Sequence, residues 1–162
     1  MANCAPKSSV ILGDARLTLA NAPDGRYDVI VVDAFSSDAI PIHLLTREAM
    51  AIYLKKLAPG GLVVMHVSNR HLELTSVVAG VAAANGAVTR AYYSSDEDDE
   101  GLKQEYSDSS YQFSSVVSVV ARTDSDFGDL ATRKSWSVTE PDAKQWVWTD
   151  DYSNLWAILK WR

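Results

Sequence analysis

Tyr27-Asp28-Val29-Ile30-Val31-Val32-Asp33 is the stretch on which the reading of this chain turns. Its four consecutive apolar residues, three of them valine, fill both faces of a strand, the pattern of a parallel strand covered on both sides. The run stops on a carboxylate and is entered through the turn Pro23-Asp24-Gly25. Working upstream, Ser9-Val10-Ile11-Leu12 is a shorter β-rich run. It is halted by Gly13-Asp14 and followed by a short helix from about Arg16 to Asn21. Working downstream, a loop from Ala34 to His43 leads to a helix from about Thr46 to Ala58. There Met50, Tyr53, Leu54 and Leu57 recur at helical spacing, and Pro59-Gly60-Gly61 ends it. A strand over Leu62 to Val67 comes next. After Ser68-Asn69, Leu74, Val77, Val78, Val81 and Ala82 mark one face of a second helix, with Gly86 at its stop.

Strand and helix thus alternate, which predicts an α/β fold: an incomplete Rossmann-like sheet, mostly parallel. Beyond Gly86 the alternation ends. Val88 to Tyr93 and Ser114 to Ala121 read as two strands with no helix between them, so they should close the sheet as an antiparallel pair. The 162 residues fit one domain: a βα core over 9–93, an acidic loop over 94–110, and a last strand with a Trp-rich tail over 111–162.

The composition narrows the function. A net charge of −6 argues against a nucleic-acid binder, which needs clustered lysine and arginine; it suits a cationic, small-molecule amine. No run reaches the roughly 20 apolar residues of a membrane helix. The chain itself is therefore expected in the cytoplasm, with a membrane domain conceivable only in a longer parent chain. Cys4 is the single cysteine, and with His43, His66 and His71 it makes no metal-ligand spacing, so no metal is expected. It reads as a chance terminal cysteine before a catalytic thiol, and His66 as a core or rim histidine before a ligand. Asp96-Glu97-Asp98-Asp99-Glu100 is either a solvated loop, since adjacent acids repel, or an acidic lid. The tail carries Trp136, Trp146, Trp148, Trp156 and Trp161. Side chains of that size should pack, on the chain's own sheet or in an interface.

Ligands of doubly wound sheets sit beyond the carboxyl ends of the parallel strands. Gly13-Asp14-Ala15, Asp33 with its loop to Pro41, and Ser68-Asn69 all fall at such ends and should line one rim. Asp14 can cap the short helix, worth about 1 kcal/mol, or accept a hydrogen bond from a ligand such as an adenine amino group. Asp33 ends an apolar strand at the edge of the core, where desolvation raises a carboxyl pKa. There it can orient an ammonium or take a proton as general base. Asp38 can add a second charge.

At these residues a resemblance becomes specific. Val10-Ile-Leu-Gly-Asp-Ala-Arg16, Tyr27-Asp-Val-Ile-Val-Val-Asp-Ala-Phe-Ser-Ser-Asp-Ala-Ile-Pro41, Leu44-Leu-Thr-Arg-Glu48 and Leu57-Ala-Pro-Gly-Gly-Leu62 resemble the spermidine synthase family. With the tail motif Trp148-Thr-Asp-Asp-Tyr-Ser-Asn-Leu155, the chain is similar to the spermidine-synthase-like domains that bacteria often fuse to membrane segments. The resemblance implies the class I methyltransferase fold and aminopropyl transfer from decarboxylated S-adenosylmethionine to putrescine or a related amine. It implies Asp33 as the base that deprotonates the attacking amine. Gly13, Asp14, Ala15 and Pro41 would lie on the cofactor, and Asp38, Asp150 and Asp151 on the substrate.

Two features depart from the family. Its second acid belongs where Ser36 stands, and Asp38 comes two residues later. Its first βαβ unit, with a Gly-x-Gly-x-Gly loop, should precede Val10, yet Met1 to Ser9 contain no glycine. Without that backbone cradle for the donor's tail, the isolated chain is expected to be inactive. It is expected to self-associate through an uncovered sheet edge or to need a missing N-terminal half. Methyl transfer from S-adenosylmethionine and a non-catalytic assembly role are the alternatives.

Overall fold

A computed structural model describes residues 8–34, 41–94 and 115–160. In chain order they form α1 (Ala15–Ala20), β1 (Tyr27–Val32), α2 (Arg47–Lys56), β2 (Leu57–His66), α3 (Thr75–Ala83), β3 (Val88–Tyr93), β4 (Val116–Ala121) and β5 (Trp136–Val138), with short 3-10 turns between them. The strands make one open five-stranded sheet in the order β1-β2-β4-β3-β5.

The fold is mixed α/β, but the expectation of a mostly parallel sheet is overturned. Only β1 and β2 pair parallel; β2–β4, β3–β4 and β3–β5 are antiparallel. The reason is topological. β4 returns between β2 and β3, so these two like-directed strands each bond to it and never to one another. The antiparallel pairing of the strands at 88–93 and 116–121 is as the sequence indicates. β5 is an additional strand at the far edge.

Ser9 to Leu12 form no strand, and Val10, Ile11 and Leu12 are exposed. This changes the role of β1, expected to be central and covered on both sides. Among the described residues it is an edge strand, with Ile30 buried on one face and Val31 65% exposed on the other.

Local chemistry accounts for the helices. Thr46 caps α2, its hydroxyl accepting from the Ala49 N–H at 3.2 Å. Ala49, Met50 and Tyr53 on one face are buried. A C-terminal helix carbonyl would be orphaned, and Arg122, directly after β4, satisfies one: its guanidinium donates to Leu54 O of α2, and also to Leu57 O at 2.8 Å and Ala58 O at 2.9 Å at the start of β2. Arg122 thus locks α2 to the sheet, and the helix ends at Lys56. Pro59-Gly60-Gly61, read as its terminator, lies inside β2. The Glu73 carboxylate accepts from the Thr75 and Ser76 N–H groups at the start of α3, and Gly86, at φ 71°, supplies the left-handed turn after it.

The main core lies on the face covered by α2 and α3. Val63, Met65 and Val120 of the sheet meet Met50, Tyr53, Val78 and Val81 of the helices there. The opposite face carries a smaller cluster of Val119, Ala121 and Phe127 beneath the 3-10 segment Asp124–Thr132. It extends to Leu62 and Val64 of β2 but does not reach Val29 and Val31 of β1. The tryptophans divide. Trp148 is in the main core, and Trp136 packs on Tyr92 with ring centroids 5.5 Å apart. Trp146 and Trp156 are exposed and so do not pack on the chain's own sheet; Trp161 lies outside the described residues. No helix among the described residues is long and apolar enough to cross a membrane.

Candidate functional site

The register of β1 against β2 builds one rim. Val32 stands opposite Met65, so one residue further on Asp33 comes beside His66. In both strands the phase is the same: Val29, Val31 and Asp33, like Leu62, Val64 and His66, face away from the main core. His66 Nδ1 is 3.0 Å from Asp33 Oδ1, and His66 Nε2 is 2.6 Å from Ser68 Oγ. β4 begins at the same rim, where the Val116 N–H donates to Ser68 Oγ at 2.7 Å and the Val67 N–H to Val116 O at 2.9 Å. The chain of contacts therefore runs from a backbone amide of β4 through Ser68 and His66 to Asp33.

Asp33 is 64% exposed and His66 39%. The sequence places Asp33 at the edge of the core; it is solvated instead, because among the described residues β1 has no outer neighbour to cover it. Asp33 also borders a cleft of about 240 Å³ along β1, lined by Ala15 and Leu19 of α1 and by Ile30, Val32 and Tyr53. Burial pushes the Tyr53 phenol up to about 12, and its hydroxyl donates to Leu44 O at 3.1 Å. Tyr53 is a fixed neutral wall of this cleft.

A larger cavity of about 540 Å³ opens on the far side of Arg16 and is lined by Pro41, His43, Thr46, Asp150, Asp151 and Tyr152, among others. Pro41, Asp150 and Asp151, named by sequence resemblance, thus meet at one place. They do not meet as equals. Asp150 is held by both Arg16 Nη atoms, at 2.7 and 2.6 Å, and accepts from Thr46 Oγ1 at 2.8 Å. The Arg16 guanidinium holds the Asp150 carboxyl below its ordinary 3.8, and Asp150 in turn raises Arg16. Both oxygens of Asp150 are thereby committed to the fold. Asp151 is exposed and makes no side-chain hydrogen bond among the described residues.

Asp14 takes its capping role: it accepts from the Leu17 N–H at 2.9 Å as N-cap of α1. Its other oxygen is 3.6 Å from His43 Nε2, and it lines neither cavity. Gly13 precedes it at φ 138°, a conformation that favours glycine, and Ala15 lines the smaller cleft. The 13–15 segment follows no strand, so of the three predicted rim segments only those ending β1 and β2 share the rim. Asp38, Ser36, Cys4 and the run 96–100 lie outside the described residues. Among the described residues no three His, Cys, Asp or Glu gather as a metal site.

His66 and Ser68 are the rim residues that sequence reasoning undervalued. Their signal was present: Val31-Val32-Asp33 and Val64-Met65-His66 end two adjacent parallel strands on polar residues in one phase. The chain matches no protein-family model and no curated protein.

Proposed function

We propose that this chain is a transferase domain of the spermidine-synthase type, moving an aminopropyl group from decarboxylated S-adenosylmethionine to a di- or polyamine with Asp33 as base. The observation that carries the reading is the state of Asp33. One oxygen is held by His66 and the other makes no hydrogen bond among the described residues, at the carboxyl end of a parallel pair and on the lip of a cleft. A Rossmann-like reading of the sheet, of the class I methyltransferase kind, draws support from β1, β2 and β3 running in one direction with α2 and α3 as their connections.

The chemistry needs a carboxylate in this situation. An alkylammonium with a pKa of about 10.4 must lose a proton before it can attack. Asp33 first holds the cation and then takes that proton. The freed lone pair forms a C–N bond to the carbon on the sulfonium; the C–S bond breaks and its electron pair stays on sulfur, leaving a neutral thioether and a secondary ammonium. The 540 Å³ cavity beside Pro41 is in the size range of small-molecule sites and is the place for the nucleoside, with Asp151 its available carboxylate. No metal takes part in this scheme. The donor's tail needs a cradle, and the sequence carries no Gly-x-Gly-x-Gly loop.

The test is product formation by the full-length protein from decarboxylated S-adenosylmethionine and a panel of diamines. Turnover unaffected by Asp33→Asn overturns the base, and preference for S-adenosylmethionine with methylated products replaces aminopropyl by methyl transfer.

An assembly role has its own support in the uncovered β1 edge with exposed Val29 and Val31, a template for strand pairing. A homodimer or larger oligomer is expected at micromolar concentration, and Val31→Lys should shift it to monomer. Sedimentation of the unaltered chain as a clean monomer counts against it.

A further inference from the structure

We propose that His66 is a positioning residue locked in one tautomer by Ser68, and that it presents the Asp33 carboxylate to the substrate amine. The inference rests on the reading of Asp33 as base and adds the device that aims it.

The direction of each hydrogen bond follows from the donors available. The Val116 N–H can only donate, and it occupies one lone pair of Ser68 Oγ at 2.7 Å. The Ser68 hydroxyl proton then has two acceptors within reach: Val116 O at 3.4 Å and His66 Nε2 at 2.6 Å. The shorter contact is the stronger one. Asp33 Oδ1 can only accept, so the ring proton sits on Nδ1, 3.0 Å away; in the neutral ring Nε2 then carries the lone pair and takes the Ser68 hydroxyl proton. A carboxylate accepts that proton without conflict. Every link then has a donor and an acceptor, and the polarity runs outward from the β4 backbone to the solvated acid.

The arrangement has the bond order of a Ser-His-Asp nucleophile, but the exposures are reversed. In such a triad the acid is buried and the serine meets the substrate. Here Asp33 is the exposed member, while Ser68 is half-buried and tied to the start of β4. The open end of the chain is thus a carboxylate, suited to holding and deprotonating an amine. Orientation has value because Asp33 stands at the end of a strand that has no outer neighbour among the described residues. A fixed Nδ1–H on Oδ1 leaves Oδ2 as the oxygen that faces a ligand, and alignment of this kind is a recognised source of rate.

The primary test needs no substrate. In the 15N-labelled full-length chain at neutral pH, two-bond 1H–15N spectra should show His66 with a protonated Nδ1 and an unprotonated Nε2. Ser68→Ala should erase the bias while the fold's other resonances persist. A dominant Nε2–H tautomer, or an even mixture in the unaltered chain, overturns the proposal. In turnover assays His66→Leu should lower kcat by roughly ten- to a hundred-fold with KM little changed. His66→Asn, whose amide can still donate to Oδ1, should recover part of it. An inactive Asp33→Asn beside a fully active His66→Leu overturns the role of His66 and leaves the base standing. A fully active Asp33→Asn overturns both. Hydrolysis of a p-nitrophenyl ester that is abolished by Ser68→Ala would also overturn the proposal, by making Ser68 the nucleophile.

Discussion

Two carboxylates at opposite sides of α1 differ in how completely the protein has used them. Asp150 has Arg16 on both oxygens and Thr46 on one of them, and its own N–H donates to Glu48 Oε2 at 3.1 Å. It joins α1, the start of α2 and the C-terminal segment. Asp33 has one imidazole contact and otherwise stands in solvent. A carboxylate with both oxygens engaged is a strut, because displacing its partners for a ligand costs what the ligand would return. A carboxylate held by one oxygen is oriented yet still available. Both acids sit in motifs resembling the same family, so motif membership does not tell the strut from the reactive group; the count of committed hydrogen bonds does.

The sharpest way to break this contrast is to neutralise each acid without changing its size. Asp33→Asn should lower turnover by about 10²–10⁴-fold, the usual weight of a general base, and leave thermal stability unchanged, since the side chain is mostly solvated. Asp150→Asn should act the other way, on stability first. Parallel measurement of kcat and melting temperature on the two variants decides it, and equal effects of both kinds at both positions would dissolve the distinction.

The sequence made the strands at Tyr27–Val32 and Val88–Tyr93 legible, together with the helices around Met50 and Val78, because each has a long apolar run or a clean helical period. It did not make the sheet order legible. β4 is separated from β3 by residues 94–115, and a period of two says nothing about which neighbour a strand will take. Val10-Ile11-Leu12 has the composition of a strand but lies exposed without strand pairing, since β-propensity mostly measures the packing available. β5 was hidden because three residues carry too little pattern. At the site, Asp33 was readable as a strand-end acid. Its solvation was not, because that depends on what, among the described residues, lies beside β1 rather than on its own strand. The pairing of Asp150 with Arg16 spans most of the chain, and no local spacing encodes it.

The rim itself depends on a backbone excursion that can be perturbed from a distance. β1 advances from Tyr27 to Val29 while its β2 partners advance from Leu57 to Leu62, so Ala58 to Gly61 bulge out before the register Val32↔Met65 is set. Gly61 lies against β1 so closely that a Cβ there would meet Asp28 O and Tyr27 O at 3.0 Å and Ala58 O at 3.1 Å. These are backbone atoms and cannot swing away. Gly61→Ala should therefore cost about 1–3 kcal/mol, as overpacking does, measured by denaturant unfolding. It should also displace Asp33 from His66 and leave the Arg16–Asp150 contact intact. Retention of full stability would show that the excursion is softer than the contacts imply.

The smallest effect expected is that of the strut alone. The Arg16–Asp150 pair has good bidentate geometry, but Asp150 is 44% exposed, and solvent screening reduces what the pair returns. Asp150→Asn should cost about 1 kcal/mol, toward the upper end for exposed ion pairs. The sign of the pH dependence follows from the direction of the shift. Arg16 holds the folded-state carboxyl below its ordinary 3.8, so the unfolded chain binds the proton more readily. The contribution is complete above about 3.8 and is lost as the pH falls through the lower folded-state value. Chemical denaturation at neutral pH and again near pH 3 should therefore show the gap between the unaltered chain and Asp150→Asn closing in acid. Raising the salt at neutral pH should narrow it as well, because half of the pair is open to counterions. A gap independent of both pH and salt would mean that the carboxylate acts through its hydrogen-bond geometry to Thr46 and Arg16 rather than through its charge, a geometry that Asn breaks because its amide nitrogen cannot accept from the second Arg16 Nη.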